Sequence, residues 1–243
     1  MIVLFTDFGQ PYIGQMRALL TREAPGVPVV ELFTDLAAWD VRAAAYLLAA
    51  YGAEFPAGSV FLSVVDPGVG GERAALVLEA DGRWYVGPDN GLFEMVARRA
   101  GKLRCLVITW APERLSNSFH GRDLFAPLAA RLAGSWTEPP PEVGTEGPFP
   151  QGAGSDWPDD LARVIYIDGF GNAITGLRAR HIAPGRGLKV GGREFLQSRT
   201  FSDLAPGAAF WYENANGLVE IAINRGRASE VLDLAVGDGI ELH

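Results

Sequence analysis

The feature that most constrains this chain's fold is an alternation, over its first 134 residues, of short continuous apolar runs with longer runs of helical period. "IVLFT" (2–6), "VPVVELF" (27–33) and "SVFLSVV" (59–65) have the length and apolar character of strands buried on both faces. Between them "GQMRALLTREAPG" (14–26) has helical spacing and a Pro-Gly stop, and "DVRAAAYLLAAYGAEF" (40–55) predicts a helix capped by Asp40. "AALVLEA" (74–80) and "RWYVGPD" (83–89) predict two more strands. "GLFEMVARRAG" (91–101) and "RDLFAPLAARLAG" (122–134) predict helices, the second kinked or restarted at Pro127. Strands and helices alternating in this way predict an α/β domain over 1–134, with a mostly parallel sheet covered on both faces.

Near residue 135 the pattern stops. "SWTEPPPEVGTEGPFPQGAGSDWPDD" is rich in Pro and Gly without an apolar period, and residues 135–161 read as a linker or long surface loop. Short β-like runs separated by turn signals follow, so 162–243 is expected to be a smaller all-β domain. The chain has no internal repeat. The default ligand site for such an architecture lies in a cleft between domains or subunits.

Composition narrows the partners. A net charge of −8 and an isoelectric point near 4.9 disfavour a nucleic-acid partner or an anionic membrane, since both require a basic surface. Cys105 is the only cysteine, which excludes a disulfide framework and a cysteine zinc cluster. The start "MIVLFTDFG" lacks a basic n-region, and "AAAYLLAAYGA" (43–53) is too short to span a bilayer. A soluble cytoplasmic protein is expected.

Polar residues gather where strands end. Asp7 follows the first strand, the position from which an acid in an open α/β sheet accepts both hydroxyls of a ribose, although for Asp7 taken alone a turn or cap role is the plainer reading. Asp66 and Arg73 bracket the "PGVGG" turn after the third strand, so the turn brings acid and base together; the plainest reading is an ion pair closing a loop. Asp89, Asn90 and Gly91 precede a helix and read as its cap. His120, in a Gly-containing turn at a helix start, is placed to move a proton. His181 and His243 read as surface residues. In the second domain Asp168 and Asn172 lie in "YIDGFGNAITG", and Asn214, Asn216 and Asn224 near later turns. An aspartate can hold an ammonium and a side-chain amide can pair with an adenine edge.

Taken in order, "TDFG", "DPGVGGER", "GPDNGLF", "FHGRDLFAP", "IDGFGN" and "NGLVEIAINRG" cover almost the whole chain. The set resembles the S-adenosylmethionine (SAM) hydrolase family, also called SAM hydroxide adenosyltransferases, to which the fluorinating and chlorinating SAM enzymes are related. The resemblance implies an N-terminal α/β domain joined to a C-terminal β-barrel, assembled as a homotrimer with SAM between the N-terminal domain of one subunit and the C-terminal domain of the next. It implies cleavage of SAM by water to adenosine and L-methionine, with Asp66, Arg73 and His120 as the water-activating trio. Asp7 would bind the ribose diol, Asp168 the methionine ammonium and Asn172 the adenine edge; Asn216 and Arg225 are further substrate-binding candidates. One departure stands out: Ala215 replaces the Ser that many relatives carry in Asn-Ser-x-Gly. Methionine binding is weakened if that serine's hydroxyl is the contact, and unchanged if its backbone is.

The sulfonium of SAM is already a good leaving group, so no cofactor and no metal is expected, and the need is for a positioned water at the 5′ carbon. Arg73 supplies fixed positive charge, His120 accepts a proton or orients the water, and Asp66 fixes both. Three alternatives stand beside hydrolysis: a SAM-dependent halogenase, a phosphoesterase using Asp7, Asp66, Asp89 and His120 as metal ligands, and a non-catalytic SAM- or adenosine-binding protein.

Overall fold

The structure, a computed structural model, describes residues 1–136, 138–183 and 186–242, so His243 lies outside the described residues. The chain divides into two compact units, Met1–Asp156 and Trp157–His243.

The first unit is built on a seven-stranded sheet of order β2-β1-β3-β5-β4-β6-β7. Its strands are β1 (Ile2–Thr6), β2 (Val29–Phe33), β3 (Val60–Val64), β4 (Ala75–Ala80), β5 (Arg83–Pro88), β6 (Leu103–Ile108) and β7 (Gly144–Gly147). β2-β1, β1-β3 and β3-β5 are parallel, whereas β5-β4, β4-β6 and β6-β7 are antiparallel. The expectation of a mostly parallel sheet is therefore corrected to half. The cause is local: Asp81 and Gly82 both have positive φ, 49° and 79°, which makes the two-residue β4-β5 connection a tight hairpin turn. The stretch expected as a linker also contributes β7, which pairs with β6 from Cys105↔Gly147 to Ile108↔Gly144.

Helices cover both faces. Alternation along β1 and β3 turns Ile2, Leu4, Val60, Leu62 and Val64 to one side, where they form one core with Ile13, Met16 and Leu20 of α1 (Tyr12–Glu23) and with Leu128, Ala129 and Leu132 of α4 (Ala126–Gly134). The other side is aromatic, with Phe5 edge-on to Phe33, Phe33 to Tyr51 and Phe61 stacked on Tyr85. α2 (Val41–Tyr51) and α3 (Glu94–Arg99) pack together. Asp40 caps α2 as expected, its carboxylate accepting the Ala43 N–H at 2.9 Å. The expected cap of α3 is corrected: the helix starts at Glu94 behind Phe93, and Asn90 instead donates to the Val65 carbonyl at 2.9 Å. Pro127 falls at the start of α4, behind a π-helical turn over Gly121–Phe125.

The second unit is all antiparallel among its named strands. One sheet has the order β12-β13-β9-β8, from β8 (Leu161–Ile167), β9 (Ala173–Arg178), β12 (Ala209–Glu213) and β13 (Leu218–Ile223). The other is β11-β10-β14, from β10 (Leu188–Val190), β11 (Arg193–Phe195) and β14 (Glu241–Leu242). Among the described residues the pairing forms two sheets around a core of Val164, Leu177, Val190, Trp211, Val219 and Ile221. That is the extent to which the expected barrel is seen.

Candidate functional site

β1 and β3 are parallel neighbours in register through Thr6↔Val64, so Asp7 and Asp66, just beyond them, leave the sheet at the same edge. This is the carboxyl edge, where open α/β sheets bind ligands. The "PGVGG" turn after β3 lies against the loop that carries His120. Gly70 has φ +79°, and a Cβ there would overlap the Asn117 carbonyl. Glycine is thus required twice over, by conformation and by approach.

The turn places Arg73 on Asp66. Arg73 Nε donates to both carboxylate oxygens, at 2.9 and 3.0 Å, and its Nη2 makes a further short contact to Oδ2. The side chains of Arg73 and Asp66 are 11% and 3% exposed, so this is a buried bidentate pair and more than a loop closure. The same Nη2 lies 3.1 Å from His120 Nδ1. Because a guanidinium only donates, Nδ1 must be the acceptor, and the neutral ring carries its proton on Nε2. Burial pushes the His120 pKa below the ordinary imidazole value, and the Arg73 charge lowers it further; the charges of Asp66 and Asp123 oppose this. His120 is therefore held neutral.

Asp7 is half-buried, and its Oδ2 accepts the Trp39 N–H at 3.0 Å. Burial raises its pKa, the Trp39 N–H counteracts this, and the charge of Asp66 adds to the rise. A cavity of about 650 Å³ opens beside it, walled by Asp7, Tyr12, Trp39, Asp66, Ser116 and Arg122 among others. A second cavity of about 40 Å³ is lined by Asp66, Val69, His120 and Gly121 among others. The first falls within the ~300–1,000 Å³ usual for small-molecule sites, and the second is near the ~30 Å³ that one water takes up.

Sequence reasoning missed the aromatic wall, made of Phe8, Tyr12, Trp39 and Phe119. Trp39 is 75% exposed at φ 66°, in the loop after β2. The rule that singled out Asp7 at the end of β1, applied to β2, finds it. Burial raises the pKa of Asp89. Among the described residues no group of three or more His, Cys, Asp or Glu is gathered as for a metal ion.

In the second unit Asp168 and Asn172 share the β8-β9 loop. Asp168 Oδ1 accepts the N–H of Phe170 at 2.9 Å and of Asn172 at 2.8 Å, and Oδ2 accepts from Asn172 Nδ2 at 3.3 Å. The loop leans on the segment after Arg225: Arg227 donates to the Gly169 carbonyl at 3.0 Å, and Ser229 N–H to that of Gly171 at 2.8 Å. Arg225 is exposed at φ 59°. Asn216 is placed elsewhere. Pairing Ile221↔Ala173 and Leu218↔Arg178 puts the Asn214–Asn216 turn at the opposite end of the β9-β13 ladder. There Asn214 Oδ1 accepts the Asn216 N–H at 3.0 Å and Asn214 Nδ2 donates to Glu220 at 2.9 Å.

Two domain families match this chain. Residues 2–140 match the SAM hydroxide adenosyltransferase N-terminal domain and 162–241 the C-terminal domain. The chain belongs to the SAM hydroxide adenosyltransferase family. A relative from Thermus thermophilus, named (R)-S-adenosyl-L-methionine hydrolase, is 40% identical over 99% of this chain and 98% of its own length. A more distant family relation, a protein from Nocardia brasiliensis named fluorinase, is 24% identical over 99% of this chain and 96% of its own. A solved structure of a conserved Thermotoga maritima protein superposes with a TM-score of 0.86 at 31% identity, covering 100% of this chain and 99% of that one. No helix among the described residues is long and apolar enough to cross a membrane.

Proposed function

We propose that this chain hydrolyses S-adenosyl-L-methionine to adenosine and L-methionine, with water as the nucleophile at the ribose 5′ carbon. Beyond family membership, the observation that carries the reading is the Asp66-Arg73-His120 contact, with Asp66 lining both the large and the small cavity and His120 the small one. The water oxygen bonds to C5′ as the C5′–S bond breaks, its electron pair going to sulfur and leaving a neutral thioether. The ligand already carries the leaving group, so positioning supplies most of the rate.

The tautomer supports a division of roles within the trio. His120 Nδ1 is spent on Arg73, so the ring orients the water through its Nε2–H and does not deprotonate it. Asp66 keeps lone pairs beyond those taken by Arg73 and receives the proton as C–O bond formation makes the water acidic. The Arg73 charge lowers the cost of developing oxygen negative charge. Asp7 takes the ribose hydroxyls, Asp168 the methionine ammonium and Asn172 the adenine edge, with the Arg225 backbone as a further contact at the same end of the second unit. SAM, adenosine and methionine are the ligands. The assembly that goes with this reading is a cytoplasmic homotrimer, the first unit of one subunit facing the second unit of its neighbour across the substrate.

The test is product analysis by liquid chromatography of purified protein with SAM, run with chelator and with chloride or fluoride in parallel. Adenosine and methionine in equal amounts in every arm support the proposal. Loss of activity with chelator would indicate a metal enzyme, 5′-halo-5′-deoxyadenosine a halogenase, and saturable binding without turnover a sensor.

A further inference from the structure

The loop that delivers His120 is tied down by a residue with no role so far. Asp123 lies within the π-helical turn that begins immediately after His120. Its Oδ2 reaches back to accept the Ser116 N–H at 2.9 Å, closing an eight-residue loop, 116–123, that contains His120. Arg122 grips the same carboxylate, Nε to Oδ1 at 2.6 Å and Nη2 to Oδ2 at 3.0 Å. Its Nη1 donates to Gln15 of α1 at 2.9 Å, and its guanidinium lies 5.0 Å from the Phe119 ring centre. The loop is thereby fastened to itself, to α1 and to the aromatic wall. The turn has no slack: a Cβ on Gly121 would lie 2.7 Å from the Phe8 ring.

We propose that Asp123 is a positioning residue of this site: its carboxylate closes the Ser116–Asp123 loop and so sets His120 Nδ1 against Arg73. The proposal rests on the reading that His120 orients the attacking water. Asp123 touches no reacting atom. The π-helical turn follows His120 directly, and such turns are frequent at functional sites. The charged groups that bear on His120 are Arg73, Asp66 and Asp123, so the Asp123 charge also acts on the ring. Its negative charge favours protonation of His120, against burial and Arg73.

Two substitutions separate tie from charge. Asp123→Asn keeps an oxygen for the Ser116 N–H but loses the charge; Asp123→Ala loses both. Histidine-selective NMR reports His120 directly, without substrate, because the chain has only three histidines. In Asp123→Asn the His120 titration should move to lower pH, and the acid limb of the kcat profile should move with it. In Asp123→Ala, kcat should fall roughly tenfold to hundredfold, as expected for a catalytic group displaced by about 1 Å, with KM affected less and Asp123→Asn retaining the larger share of kcat. A kcat within twofold of wild type in Asp123→Ala, or a kcat in Asp123→Asn as low as that of Asp123→Ala, overturns the proposal. Should Asp123→Ala not fold, Ser116→Pro, which removes the N–H that Asp123 accepts, decides by the same kcat criterion. If the His120 resonances move in Asp123→Ala beyond their place in Asp123→Asn while wild-type protein does not consume SAM, the positioning holds and the hydrolytic reading is what fails.

Discussion

The two units present their polar residues in opposite ways. In the first, side chains from separate loops meet one another: Asp66 and Arg73 across a turn and His120 from a loop some fifty residues on, with Asp66 and His120 lining the small cavity. In the second, side chains are spent on their own loops, Asp168 on the N–H groups of Phe170 and Asn172 and Asn214 on those of Asn216 and Leu218. The first arrangement concentrates charge and proton-handling groups, as bond breaking requires. The second fixes loop shape and leaves exposed edges, such as Phe170 at 79% exposure. On the proposed reading the bond-breaking groups all lie in the first unit and the second contributes binding alone, so substitutions at Asp66, Arg73 or His120 should act on kcat and those in the second unit on KM.

Arg73→Ala should have the largest effect. Loss of one preorganised charge at a reacting centre costs about 10²–10³-fold in rate, and leaving the buried Asp66 unpaired costs roughly 3–5 kcal/mol of stability. Steady-state kinetics with calorimetric SAM binding checks it, and equal losses in kcat and affinity would erase the proposed division. Next, Asp168→Ala should raise KM about tenfold to hundredfold, the worth of a charge-assisted contact of ~1.5–3 kcal/mol, while kcat at saturation changes little. A collapse of kcat there would place chemistry in the second unit as well.

The pH dependence sharpens the same point. Since burial and Arg73 hold the His120 pKa below the ordinary imidazole value, the neutral ring persists as pH falls through that value. Hydrolysis should therefore continue below the usual histidine range and fail only when protonation of Nδ1 expels the Arg73 contact. An acid limb at or above the ordinary value in the kcat profile would contradict the tautomer assignment. Ala215→Ser should do least. Asn216 meets Asn214 through its backbone N–H, and an added hydroxyl at exposed Ala215 should change KM by no more than about threefold, the scale of a single modest hydrogen bond.

Much of the site was legible because its logic is local. Strand-end acids, a glycine turn between an acid and a base, and a histidine in a polar turn can be read along the chain. Asp40 as a cap was equally plain. The sheet's antiparallel half was harder to read because an unbroken apolar run does not report strand direction; "ADGR", with both Asp81 and Gly82 at positive φ, carried that information in two residues. β7 went unseen because Gly144–Gly147 has the exposed, glycine-bounded character of a loop and gains its strand only by pairing with β6. The aromatic wall was hidden for another reason: Phe8, Tyr12, Trp39 and Phe119 come from three separate segments, and only the fold brings them to one cavity. Asp123 stood in plain view within "FHGRD", but its bond to Ser116 runs backward along the chain and leaves no periodic trace.

The most direct test of the central claim is incubation of the purified protein with SAM in oxygen-18 water, followed by mass spectrometry of the products. The account predicts adenosine carrying one heavy oxygen at the 5′ position, with unlabelled methionine, because water attacks the ribose carbon opposite sulfur. Label in a methionine-derived product, or SAM left unconsumed while measurably bound, would contradict it.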